Sequence, residues 1–319
     1  MEARTLYAIG ECMIELQHSQ QHPGTMDYRF GGDTLNAAVY MARLLDPAHV
    51  RVAYVTGLGT DGMSDEMLAG WAAEGVATGF VQRLPDRLPG MYLIELDAGG
   101  ERRFHYWRND SAARHWLEAP EAGKVLVQLA SARLVYLSGI SLAILSAADR
   151  ELLISALAQC RANGGSVAFD NNYRPRLWES PETARRMYQR VLEQADIALL
   201  TLDDEQALYG PLGGAQTAQA VIERTRGYGV GEVVVKCGPD PAVVWADGAL
   251  HEVAPQPVAE VVDTTAAGDS FGAAYLAARL SGLDARAAAE AGHRLAGAVI
   301  GRRGAIIPRD AMPAPWPAI

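Results

Sequence analysis

The sequence predicts an α/β fold: a mainly parallel central sheet flanked by helices, with a small β lid. Three observations carry this reading. Short Val-, Ile- and Leu-rich runs alternate with helical patterns along the 319 residues, as in folds where crossover helices cover both faces of a sheet. Those runs are apolar throughout instead of alternating, as strands buried on both faces are. One pair of extended runs, between residues 90 and 108, breaks the rhythm and reads as an inserted hairpin. With no internal repeat and no low-complexity linker, residues 1–319 read as a single domain. Lid elements are placed at about 12–33 and about 88–110, where extended runs interrupt the α/β alternation.

Leu6–Ile9 is the first buried strand, and a helical pattern over Thr34–Leu45 follows it. Val50–Val55 and Asp65–Glu74 repeat the unit. Gly90–Asp97 and Glu101–Arg108 then form the hairpin, joined at Asp97-Ala98-Gly99-Gly100. Its alternation puts Phe104, Tyr106 and Arg108 on one face, with His105 and Trp107 on the other. The alternation resumes with Leu134–Leu137, Ala147–Ala162, Val167–Asp170, Pro181–Gln194, Ile197–Leu200, Thr217–Tyr228 and Val233–Lys236. In such sheets ligands bind beyond the carboxyl ends of the strands. Loops that directly follow strands are therefore the candidate sites.

Composition narrows the function. Apolar residues make up 49% and charged residues 21% of the chain, ordinary for a globular protein. The net charge of −10 repels phosphate backbones, so a nucleic-acid partner is not expected. Cys12, Cys160 and Cys237 are far apart and form no CxxC pair, which suggests neither a disulfide framework nor a zinc site. The N-terminus lacks signal-peptide features. No apolar stretch reaches membrane-spanning length, since Val125–Leu137 is interrupted by Gln128 and Arg133. The expectation is a cytoplasmic protein with no membrane partner.

The most informative stretch is Val262-Asp263-Thr264-Thr265-Ala266-Ala267-Gly268-Asp269-Ser270-Phe271, followed by the helix formers Gly272 to Leu280. A small-residue loop thus opens into a helix N-terminus, where unpaired N–H groups and the helix dipole attract an anion. Such a hole suits charge developing on a transferred phosphoryl group. Asp269 in the same turn could take the proton of an attacking hydroxyl. The alternative is that Asp269 only caps the helix. Capping accounts for one aspartate and not for the whole string.

This string resembles the C-terminal signature of the ribokinase-like (PfkB) carbohydrate kinases, D-T-x-G-A-G-D, with Ala266 where Gly is usual. Phe30-Gly31-Gly32-Asp33-Thr34-Leu35-Asn36 is similar to that family's N-terminal sugar-binding segment. The resemblance runs over essentially the whole chain and implies a ribokinase-like fold. It implies Asp269 as the catalytic base, with the amides of Ala266, Ala267, Gly268 and Asp269 as the anion hole. ATP and Mg²⁺ follow as cofactors, with activation by a monovalent cation possible and no metal ligand assigned.

Further segments resemble the members of the family that act on 2-keto-3-deoxygluconate. They are Gly10 to Glu15, Tyr106 to Asn109, Ser138 to Ser141, Asp170 to Arg176 and Arg303 to Pro308. A sugar acid carries a carboxylate, for which the planar fork of arginine is suited. Arg108 on the lid and Arg174 in the loop after Val167–Asp170 occupy ligand-side positions, and Pro175 keeps Arg174 extended. The alternative is two ordinary surface arginines. The resemblance implies substrate contacts from Gly31, Gly32, Asp33, Thr34, Leu35, Tyr92, Tyr106, Trp107, Arg108, Arg174 and Asp269. For the nucleotide it implies Asn172, Tyr173, Arg174, Lys236, Gly238, the hole itself and His293, the last equally readable as a packed helix histidine. The acidic run Asp203-Asp204-Glu205 stands where relatives carry a motif that organises magnesium.

Other readings are a fructokinase or ribokinase, a non-catalytic sugar sensor, and a dehydrogenase suggested by Gly57-Leu58-Gly59-Thr60-Asp61-Gly62. The last lacks an acidic ribose partner, because Phe80 to Leu84 holds none. An exposed hairpin edge makes a homo-oligomer the expected assembly.

Overall fold

The computed structural model describes residues 4–19, 22, 24–96, 102–210 and 217–316. The strands are β1 (Arg4–Ile9), β2 (Met13–His18), β3 (Met26–Gly31), β4 (Val50–Val55), β5 (Gly57–Leu58), β6 (Gln82–Arg83), β7 (Met91–Leu96) and β8 (Arg102–Trp107). They continue as β9 (Leu134–Ser138), β10 (Ser166–Asp170), β11 (Ile197–Thr201), β12 (Glu232–Lys236), β13 (Ala242–Ala246) and β14 (Ala249–Val253). The helices are α1 (Asp33–Leu44), α2 (Gly62–Ala73), α3 (Ala122–Leu129), α4 (Gly139–Ala143) and α5 (Ala147–Ala162). After them come α6 (Pro181–Leu192), α7 (Leu202–Tyr209), α8 (Ala218–Arg226), α9 (Ala267–Leu280) and α10 (Ala285–Ile300).

The central sheet has 8 strands in the order β14-β13-β12-β11-β10-β9-β1-β4. Pairing is parallel from β4 through β12 and antiparallel at β13 and β14. The strands at Leu6, Val50, Leu134, Val167, Ile197 and Val233 lie where the apolar runs predict them. The closing hairpin β13–β14 lies beyond the predicted strands; β13 is apolar throughout, whereas β14 carries His251 and Glu252.

Burial on both faces follows from strand alternation. Tyr7 and Ile9 point into one core layer with Trp116, Phe169 and Tyr188, beneath α3, α5, α6 and α8. Leu6 and Ala8 point into the other with Tyr40, Tyr54, Tyr136 and Tyr275, beneath α1, α9 and α10. Each fully buried aromatic or leucine contributes about 1.5–3 kcal/mol of transfer free energy.

The second sheet contains the expected hairpin as the antiparallel pair β7–β8 and extends it with two strands from earlier in the chain. It has 4 strands in the order β3-β2-β7-β8. β2 pairs parallel to β7, while β2–β3 and β7–β8 are antiparallel. The expected turn at Asp97–Gly100 lies outside the described residues. A parallel pair cannot be closed by a hairpin turn, so β2 and β7 meet only through the intervening α/β elements.

Helix starts differ in an informative way. α2, α5, α6, α8 and α10 are capped by the side chains of Asp61, Ser146, Ser180, Thr217 and Asp284. α1 and α9, whose N-cap residues are Gly32 and Ala266, have no side-chain cap. The same is true of α3 and α7.

Candidate active site

Ala266 has φ +60° and ψ +17°, the left-handed region, and it aims the first turn of α9 outward. This conformation is why glycine suits the position; an L-residue there costs roughly 1–2 kcal/mol. Among the described residues the amides of Gly268 and Asp269 donate to no carbonyl outside the helix. They form the open end of a helix dipole. Asp269 keeps some contact with the cleft and accepts 2.9 Å from Asn36 Nδ2 of α1. Burial and then the neighbouring Asp33 carboxylate push its carboxyl up to about 7, opposed by the Asn36 hydrogen bond and by Lys236. A carboxylate poised there is suited to general-base work near neutral pH.

Lys236 is not the solvated strand-end lysine that its position suggests. It is buried, donates 2.7 Å to Asp170 Oδ2, and would lie 3.4 Å from a Cβ at Gly268. Its cation therefore sits at the rim of the anion hole. Asp170 ends β10 and is pushed upward chiefly by burial. Asn172, in a left-handed conformation with φ +23°, donates 2.5 Å from Nδ2 to Asp33. Asn172 thus holds the N-terminus of α1 against the β10 loop, with its amide already engaged.

On the acceptor side, Gly31 and Gly32 are glycines for steric reasons. A Cβ at Gly32 would stand 2.1 Å from the Glu11 carbonyl oxygen, and one at Gly31 would stand 3.1 Å from the Tyr92 hydroxyl. Tyr92 donates 2.5 Å to Glu15 and groups with Tyr106 and Phe104 on one lid face, ring centroids 5.7 and 6.3 Å away. Trp107 stands on the opposite face, 55% exposed.

Three expectations on this side need correcting. Thr34 is fully buried and shares a 3.1 Å hydrogen bond with the Tyr54 hydroxyl, and Leu35 is packed in the core. Helix periodicity turns both inward, so neither side chain is available to a ligand. Arg108 does stand beside Tyr106, its guanidinium carbon 6.0 Å from the ring centroid, but it is not displayed to solvent. It lies just beyond β8, is 6% exposed, and pairs with buried Glu11.

On the nucleotide side, Arg174 is extended, as Pro175 requires, and its side chain is 51% exposed. Its Nη1 donates to the Tyr173 carbonyl at 2.8 Å and to Asp204 at 3.4 Å. The structure therefore gives Arg108 and Arg174 separate carboxylate partners. Tyr173 is corrected to a core residue: it is 4% exposed and packs edge-on against Tyr188. Gly238 provides a left-handed turn between β12 and β13. His293 engages the Val253 carbonyl at 2.9 Å and packs on Phe271 at 5.0 Å, and burial lowers its pKa. That is the packed-histidine reading.

The acidic run divides by depth. Glu205 is buried, accepts 3.0 Å from Asn171 and pairs with Arg224, so it is spent on structure. Asp204 faces Arg174 and the Tyr173 amide. No group of three or more metal-ligating side chains occurs among the described residues. In the Gly57–Gly62 loop, Asp61 itself accepts from the amides of Met63 and Ser64 at 3.1 Å. The helix end where a pyrophosphate would bind is filled, against the dehydrogenase reading.

Asn36, Asp170 and Glu11 were not singled out as site residues. Asn36 carried one usable signal, standing one turn after the glycine pair. The others are known only through partners distant in sequence.

The fold and this loop define a phosphotransferase that holds a small alcohol under a lid and charge at a helix N-terminus. The model for pfkB family carbohydrate kinases matches residues 3–312, and the chain belongs to that family. It is 54% identical to the 2-dehydro-3-deoxygluconokinase of Dickeya dadantii, over 98% of this chain and 100% of that one. With the enzyme of the same name from Escherichia coli K12 it is 53% identical over 98% and 100%. Among solved structures, the fructokinase with bound ATP from Xylella fastidiosa is 26% identical, with a TM-score of 0.77 over 97% of this chain and 95% of that one. The 2-dehydro-3-deoxygluconokinase of Thermotoga maritima, 24% identical, shares the fold with a TM-score of 0.81 over 96% and 95%.

Proposed function

We propose that the protein transfers the γ-phosphoryl group of ATP to 2-keto-3-deoxygluconate, giving 2-keto-3-deoxy-6-phosphogluconate. The observation that carries this is Asp269, a carboxylate tuned to about 7 within the turn that opens the uncapped N-terminus of α9. The near-complete likeness to enzymes named for that substrate supports the choice of acceptor.

In this reading the acceptor lies on Gly31 and Gly32 under Tyr92 and Tyr106. Its carboxylate is held by Arg108 and Arg174, and its far hydroxyl is directed at Asp269. Asp269 removes the hydroxyl proton as the oxygen attacks the γ-phosphorus in line. The amides of Gly268 and Asp269, with Lys236 at the rim, stabilise the charge on the phosphoryl oxygens. Magnesium bound with the nucleotide would supply further neutralisation of the phosphates. Closure of the lid excludes water that would otherwise hydrolyse ATP.

The reading treats residues 1–319 as one catalytic unit working in a reducing cytoplasm, where its buried free thiols Cys12 and Cys160 persist. Exposed Tyr28, Phe104, Tyr106 and Trp107 on the lid support a homo-oligomer, tested by sedimentation. The decisive test is a coupled ADP-release assay with ATP and Mg²⁺. It compares 2-keto-3-deoxygluconate with fructose, ribose and gluconate. Strong preference for the keto-deoxy acid is expected. Preference for fructose or ribose keeps the mechanism and overturns the acceptor; binding without turnover makes the protein a sensor.

A further inference from the structure

The β1–β2 junction and the end of β8 are two places where the chain crosses between the central sheet and the lid. Glu11 stands at the first and Arg108 just after the second. The Glu11 side chain is 0% exposed and that of Arg108 6%. Glu11 accepts from Arg108 Nη2 through Oε2 and from Ser111 Oγ, at 2.5 Å, through Oε1. Both carboxylate oxygens are therefore engaged. Room is made by Gly90, where a Cβ would fall 2.6 Å from Glu11 Oε1. The backbone of the same residue underlies the acceptor loop, since a Cβ at Gly32 would fall 2.1 Å from its carbonyl oxygen.

The hydrogen bonding of Arg108 is incomplete. Its Nε is buried and has no hydrogen-bond partner. A buried guanidinium donor without an acceptor is costly, and native proteins seldom leave one so. A lid-to-core tie needs the Nη2 contact alone; it does not account for a buried Nε–H left without an acceptor. A carboxylate ligand would account for it, because guanidinium can serve one carboxylate on each edge.

We infer that Glu11 is a positioning residue for acceptor binding: held by Ser111, it fixes Arg108 through Nη2 so that the unpaired Nε–H is left for the acceptor carboxylate. This rests on the sugar-acid reading above. Glu11 does not touch the acceptor, and it acts through the orientation of Arg108. It also balances the arginine charge when the site is empty, so the buried cation need not be solvated before the acceptor arrives.

The test is steady-state kinetics of Glu11→Gln and Ser111→Ala beside the wild type, with melting temperatures measured in parallel. A charge-assisted bond is worth about 1.5–3 kcal/mol, so Glu11→Gln should raise KM for 2-keto-3-deoxygluconate by roughly 10- to 100-fold. KM for ATP should hold and kcat should change less than about threefold, the pattern for an interaction made equally in ground and transition states. Ser111→Ala, which keeps the ion pair, should raise the same KM by a smaller factor. An acceptor KM unmoved in both variants overturns the inference. So does a parallel loss in both KM values and kcat with a fall in melting temperature, the signature of a purely structural pair. A wild type that turns over only neutral sugars overturns the acceptor reading, and this inference with it. A wild type active on the sugar acid with unmoved variants overturns only the role of Glu11.

Discussion

Asn36 donates its side-chain amide to Asp269 at 2.9 Å, joining the first helix to the N-terminal turn of α9 across 233 residues of sequence. The bond lowers the pKa of a carboxyl that burial, Asp33 and Asp170 raise. Replacing Asn36 with Ala therefore moves the acidic limb of kcat/KM to higher pH. Measurement of kcat/KM from pH 5 to 9 checks it; an unmoved limb would show that Asn36 does not tune the base.

Asp269→Asn removes the proton acceptor and should lower kcat by about 10²- to 10⁴-fold, the usual worth of general-base catalysis. Acceptor binding should change little. Titration calorimetry separates the two.

The same substitution alters stability with a definite sign. The Asp269 carboxyl sits at about 7 when folded and near about 3.9 when unfolded. Between those values the folded chain holds a proton that the unfolded chain has lost, so stability falls as pH rises through this window. Asn has no charge to bury. The melting temperature of Asp269→Asn should exceed that of the wild type at pH 8 and match it near pH 4.

Lys236→Met removes the cation at the rim of the hole. It takes away an influence that lowers the Asp269 pKa, so the acidic limb shifts upward, and KM for ATP rises. A change in acceptor KM alone would place Lys236 elsewhere in the mechanism.

Ala266→Gly relieves an L-residue at φ +60°. Relief of roughly 1–2 kcal/mol is partly offset by the greater freedom of glycine when unfolded. A net gain of about 0.5–1 kcal/mol with activity retained is expected, read from urea denaturation.

The sequence by itself determined the order of the parallel units and the place where a small-residue loop opens α9. Short apolar runs rich in Val and Ile, alternating with helical patterns, read as strands buried on two faces, and a small-residue loop running into helix formers reads as a helix start. Asp269, the hole around it and the glycine pair were legible for that reason, since their signals lie within a few residues of each other. Tertiary structure alone decided which neighbours they meet. Helix phase turned Thr34 and Leu35 inward, and the loop after β10 folded Tyr173 into the core beside Tyr188. The parallel pairing of β2 with β7, the union of Asn36 with Asp269, and the burial of Arg108 against Glu11 all join segments distant along the chain. Local periodicity holds no record of such contacts. They arise when the sheet closes and each polar group must find its partner inside a low-dielectric interior.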